Sequence, residues 1–198
     1  NLLPEIGDNL NVGTIIDTRN VMGLTRVQWE TNFYYMYIQN MIRLFPADIR
    51  SIYTNLGKTS TMGFDTDLKV DVTPNIYTYF NLTLQDIRDR QKWLNDAKGT
   101  DNPTYNKHVP NIPSFYFNYG LEYHAENLLG RNELSRIYMD VSHVGEFDWG
   151  WQMSTLSDQR KKWIIPSNDV FTIGLQQSFW HNNISLSFEV ENIFDKEN

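Results

Sequence analysis

The sequence predicts an all-β chain, an antiparallel meander of about eight long strands. Three observations predict it. Apolar residues recur with period 2, not 3.6, along most of the 198 residues. The longer strand-like stretches run 13 to 21 residues, against a usual strand of about five or six. Short turns and long polar connections alternate along the chain.

The elements follow in order. LNVGTIIDT (10–18) is a first short strand. TRVQWETNFYYMYIQNMIRL (25–44) is a long second one, rich in aromatic and β-branched residues. NLGKTSTMGFDTDLKVDV (55–72) is a third. It alternates Met62, Phe64, Thr66, Leu68, Val70 and Val72 with Gly63, Asp65, Asp67, Lys69 and Asp71. TPN (73–75) is a tight turn, because Pro presets one dihedral and Asn tolerates the rest. NIYTYFNLTLQDI (75–87) returns, with Ile76, Phe80, Leu82 and Leu84 on one face and Tyr77, Tyr79, Asn81 and Gln85 on the other. The two strands form a hairpin.

Residues 88–112 are polar and rich in Gly, Pro and Asn, and read as a long loop. PSFYFNYGLEYHA (113–125) is a fifth strand. ENLLGRNE (126–133) is a medium turn into a sixth, LSRIYMDVSHVGEFDWGWQMS (134–154). TLSDQRKKWIIPSN (155–168) is a second long polar connection. DVFTIGLQQSFW (169–180) and ISLSFEVENIF (184–194) then flank the turn HNN (181–183).

Short turns at one end and long loops at the other are the layout of an outer-membrane β-barrel. The apolar face alone does not decide this. Ile184, Leu186, Phe188 and Val190 alternate with Ser185, Ser187, Glu189 and Glu191, and a soluble sandwich accepts that pattern too. Strand length weighs toward the barrel, since a tilted membrane strand needs about 9–11 residues.

Composition narrows the function classes. A net charge of -7 and a pI near 5.0 argue against a nucleic-acid-binding surface. The chain has no cysteine, which excludes disulfides, thiolate metal sites and cysteine nucleophiles. NLLPEIGDNL lacks the basic start and apolar core of a signal peptide. No apolar run is long enough for a transmembrane helix. A mean hydropathy of -0.50 is uninformative, because a barrel strand averages its two faces. Six Trp, 11 Tyr and 11 Phe fit either an aromatic-rich β-protein or an interfacial girdle.

Chemistry-bearing constellations are sparse. Asp65, Asp67 and Asp71, with Lys69 among them, project from one strand face. They suit a cation or polar-solute contact, or more simply a solvated, charge-balanced wall. His108, His124, His143 and His181 are scattered without metal-ligand spacing. No nucleophile elbow, phosphate loop or dinucleotide fingerprint occurs. NLT (81–83) and NIS (183–185) match glycosylation sequons at strand positions, a chance match. Phe147, Trp149 and Trp151 share one strand face in this reading, either as girdle or as ordinary aromatic packing. The expectation is therefore no enzyme, no cofactor, no metal, no catalytic residue and no assigned ligand-binding residue.

Four segments in order carry a resemblance. NLLPEIGDNLNVG (1–13) is similar to an N-x-L-x-P-E…N-x-x-x-G strand start. Residues 53–89 resemble an N-x-G-x-x-x-x-x-G-x-E strand, proline turn and return strand. VPNIPSFYFNYGLEY (109–123) resembles a later P-x-x-P strand start. VENIFDKEN (190–198) resembles the N-L-F-D-K-x-Y before a last strand. Together they resemble the C-terminal barrel portion of TonB-dependent outer-membrane receptors. Asp65, where the family commonly has Glu, is a mild departure.

The resemblance implies that residues 1–198 are part of a transmembrane β-barrel of about 22 strands in the intact family. A plug domain, a TonB-contacting segment and earlier strands would precede them, and the last strand would follow. It implies the outer membrane of a Gram-negative bacterium, lipid around the wall, and the TonB complex as partner through the N-terminal part. It implies uptake of a scarce solute: a ferric siderophore, haem, cobalamin or glycan. External loops would lie near 45–52, 88–112 and 155–168. An isolated open piece would associate through its strand edges. A passive porin-like or adhesin-type barrel and a soluble carbohydrate-binding β-sandwich are the rival readings.

Overall fold

Alternation of apolar and polar residues puts one chemistry on each side of a strand, and strands so patterned join edge to edge. The computed structural model describes residues 2–47, 50–55, 57–93, 99–151 and 163–194. Eight strands form one antiparallel sheet: β1 (Ile6–Val21), β2 (Leu24–Gln39), β5 (Lys58–Thr73), β6 (Ile76–Asp89), β7 (Phe115–Glu126), β8 (Leu134–Val144), β11 (Asn168–Phe179) and β12 (Ile184–Val190). The sheet order follows the chain, β1-β2-β5-β6-β7-β8-β11-β12. Two small pairs sit in the long connections: β3 (Ile42–Ala47) with β4 (Arg50–Asn55), and β9 (Phe147–Asp148) with β10 (Ile164–Ile165).

The turns explain the meander. Met22 and Gly23 both have positive φ, 52° and 84°. That is the two-residue hairpin turn whose twist matches the flanking strands. At Pro74–Asn75 the Thr73 hydroxyl accepts from the Asn75 and Ile76 amides at 3.2 and 3.1 Å. Trp180, His181 and Asn182 all take positive φ in the last hairpin.

Register sorts the faces. Val12, Phe33, Phe64, Leu84 and Phe115 stand in one cross-strand row on the apolar face. Glu30, Asp67, Asn81, Asn118 and Ser142 stand in a row on the other. From Met62 to Val70 the apolar face of β5 is free of charge, about 26 Å at ~3.3 Å per residue. That matches the height of an outward apolar band. Apart from tyrosines, the ionisable strand residues of this face are Asp8, Lys58, Asp86, Arg88, His143 and Asp169, all near the long connections.

The apolar face remains exposed. Leu10, Phe33, Leu186 and Phe188 are each more than 60% accessible. Among the described residues only Val109 and Ala125 are buried hydrophobics. A sandwich would bury one face under a second sheet about 10 Å away, and no second sheet covers it among the described residues. The sandwich reading is set aside on this ground. β1 and β12 each have one neighbour in the sheet.

Several boundaries differ from the expectation. β1 is longer than 10–18, because its polar ends still pair with β2. The stretch 25–44 is not one strand. It ends at Gln39, Asn40 takes φ 59°, and the predicted loop at 45–52 overlaps the β3–β4 hairpin. The stretch 134–154 ends at Val144, and Phe147–Asp148 pairs with Ile164–Ile165 instead. The last strand ends at Val190, and Asn192 has positive φ. Most of the predicted connection at 155–168 lies outside the described residues. In the shortened strands alternation runs past the point where a neighbouring strand stops pairing, whereas β1 pairs beyond its predicted stretch.

Candidate functional site on the polar face and outer rim

The acidic row on β5 is matched by its neighbours. Thr83 donates to Asp65 at 2.8 Å. Asp67 accepts from Asn81 and pairs with Lys69 at 3.2 Å. Within the row one carboxylate is paired with a cation and another is held by a neutral hydroxyl. Elsewhere on this face Arg26 clasps Asp17 with two nitrogens at 3.0 and 2.7 Å. Arg136 meets Glu122 at 2.5 Å while its guanidinium lies over the Tyr138 ring.

Tyrosines laid across glycines are the most specific feature of the wall. Tyr79 on β6, Gly120 on β7 and Asp140 on β8 stand in one cross-strand row. The Tyr79 ring lies over Gly120, where a methyl group would overlap it. Its hydroxyl donates to Asp140 at 2.7 Å. Tyr138, Gly174 and Glu189 repeat the device across β8, β11 and β12. Tyr34 covers Gly63 across β2 and β5 in the same way. Gly inside a strand allows this close lateral approach. Three strand-interior glycines were the available signal, but no spacing along the chain names their tyrosines.

At the rim, Asp89 ends β6 and is 1% exposed. Its carboxylate accepts from the Gln91 amide at 2.7 Å, Asn102 at 2.9 Å and Thr104 at 2.5 Å. The Asp89 amide donates to the Lys107 carbonyl, and the Val109 amide donates to Ile87. The far part of the predicted loop at 88–112 thus runs back along β6. A buried carboxylate needs such donors to offset its lost hydration. Asn111 donates to the Asp148 carbonyl at 2.6 Å, joining this loop to β9.

Trp149 and Trp151 lie past the end of β9 and not on a strand face, which corrects the expected aromatic row. Trp149 stacks on Trp163, ring centres 5.2 Å apart. The histidines stay apart. His143 meets Asp169 at 2.5 Å and stacks on Phe115 and Phe117. His108 and Arg88 share Asp86, and His124 lies by Glu122. Among the described residues no group of three His, Asp or Glu could hold a metal ion.

The wall offers hydroxyls, amides and paired charges to water and polar solutes. Its other side is a mainly apolar, uncharged band crossed by a row of threonines, Thr14, Thr31 and Thr66. Residues 1–193 match the family described as TonB dependent receptor-like, beta-barrel. No curated protein matches the chain. The match covers nearly the whole chain, and the sheet's two-faced build agrees with it. The chain belongs to the TonB-dependent receptor β-barrel family, outer-membrane receptors and transporters of Gram-negative bacteria.

Proposed function

We propose that this chain supplies barrel wall and external rim to a receptor that imports a scarce solute with energy from the TonB complex. The observation that carries this reading is the family match over residues 1–193, joined to a polar wall whose described rim includes the hydrogen-bonded Asp89 carboxylate. The solute is a ferric siderophore, haem, cobalamin or a glycan, all too large or too scarce for passive diffusion to suffice. The plug and the TonB-contacting segment lie N-terminal to this chain in the same receptor, and a closing strand lies after it.

The test is uptake of labelled solutes by cells with and without the gene, in strains with and without TonB. Accumulation of one solute class that needs both genes is expected. Uptake that needs the gene but not TonB would replace this reading with a passive porin. The isolated 198-residue chain should self-associate through its edges or bind detergent. A detergent-free monomer in analytical ultracentrifugation would oppose that part.

A further inference from the structure

We infer that the paired indoles of Trp149 and Trp163 form a stacking platform for an uncharged saccharide, and that this is the solute class the receptor takes up. The inference rests on the receptor reading and narrows its solute. β9 and β10 set the two residues opposite each other past the loop-side end of β8, and the Trp149 amide donates to the Trp163 carbonyl at 2.6 Å. The rings stack 14° from parallel with centres 5.2 Å apart. They nevertheless stay 59% and 46% exposed. The Asn111 amide donates to the Asp148 carbonyl at 2.6 Å, which ties the pair to the segment that returns along β6. Backbone bonds thus fix the platform in advance, so little ordering is left to accompany binding.

Geometry narrows the occupant. A cage for an organic cation holds its rings apart around the charge. These rings close on each other and offer only their outer faces. Such a face suits the C–H side of a sugar ring, whose hydrogens meet the electron-rich π surface.

Charge narrows it further. On the polar wall Arg26, Lys69 and Arg136 each meet a carboxylate. Glu30, Asp65, Asp71, Asp140 and Glu189 have no cation in ion-pair contact among the described residues. Asp65, Asp140 and Glu189 instead accept hydroxyl protons, from Thr83, Tyr79 and Tyr138. A wall with surplus carboxylates repels an anionic ferric complex or the carboxylates of haem. It accepts the hydroxyls of a neutral sugar.

The test is native mass spectrometry of the intact receptor containing this chain, purified from the outer membrane. It is offered neutral oligosaccharide pools cut from dextran, mannan and β-glucan, together with oligogalacturonides, chitosan oligosaccharides and a ferric tricatecholate. At least one neutral pool should be retained about tenfold over every charged probe. Trp149→Ala with Trp163→Ala should lower that retention about tenfold, the scale of losing stacked aromatic contacts. Trp149→Phe with Trp163→Phe should keep most of it. Where the alanine pair loses its gel shift on boiling, Trp149→Leu takes its place and should show a loss of the same sign. No neutral pool retained above the charged probes, or retention unchanged without the indoles, overturns the platform. TonB-dependent uptake of the ferric tricatecholate, with no sugar taken up, defeats the saccharide and leaves the receptor reading standing. Uptake that ignores TonB defeats the receptor reading itself.

Discussion

The two faces of the sheet are built by different rules. On the outward face Val12, Phe33, Phe64 and Leu84 adjoin one another in a row, but each is required only to be apolar. Lipid tails are as apolar as leucine, so no shape is demanded there. On the polar face Tyr79, Gly120 and Asp140 require one another by size, reach and hydrogen bonding. Pattern alone satisfies most of one face, where the Trp29 ring nitrogen donating to the Thr66 hydroxyl at 2.9 Å is a particular cross-strand pairing, whereas the other face repeats such pairings as tyrosines laid over glycines. The lesson is that size-matched lateral contacts in this sheet are concentrated on the wet side.

That contrast can be broken or sharpened by substitution, and the largest effect belongs to charge. Leu82 sits mid-strand on the outward face, and Leu82→Arg should cost about 2–4 kcal/mol of barrel stability. Urea unfolding of the receptor in vesicles measures this, and an unchanged midpoint would mean the face is not in lipid. Next comes crowding on the polar face. Gly120→Ala puts a methyl into the Tyr79 ring, and overpacking of this kind costs about 1–3 kcal/mol. Alanine at Gly23, where nothing lies within reach of an added carbon, should act only through its positive φ.

Asp89→Ala should act locally. It removes the shared acceptor of the Gln91 amide and the Asn102 and Thr104 side chains, while Asn102 keeps the Gln91 carbonyl and Thr104 keeps Asn102, so a loss of about 1 kcal/mol is expected. Protease cleavage within 99–112 should speed up while the gel shift on boiling persists. Tyr79→Phe keeps the ring over Gly120 and removes one hydrogen bond, so a loss of about 1 kcal/mol is expected. A loss equal to that of Gly120→Ala would show that the hydroxyl, not the ring, couples the strands. The smallest change is Leu186→Ile on the outward face, within about 0.5 kcal/mol of the wild type by the same urea titration.

Much of this was legible beforehand. Met62 to Val72 alternate with Asp65, Asp67 and Asp71 in the sequence, and the strand faces follow from that alternation alone. TPN at 73–75 marks its hairpin because Pro and Asn act on their own dihedrals. The four ordered motifs pointed to the family that residues 1–193 match. Other features were hidden. The break at Asn40 interrupts a run whose local preferences remain strand-like. Trp149 and Trp151 alternate as a strand would, yet β9 ends at Asp148 because β10 offers Ile164 and Ile165 and no more.

The amino-acid sequence by itself determined the strand periodicity, the sorting of turns and long connections, and which residues share each strand's apolar face. These depend on near neighbours in the chain, through side-chain alternation and turn dihedrals. Only the tertiary structure decided which residues face one another across strands. Tyr138 reaches Glu189 over Gly174, and Asp89 gathers Asn102 and Thr104, because pairing register and loop return bring distant segments into hydrogen-bond range. A polar side chain states what it needs, while the sheet's register determines which residue supplies it.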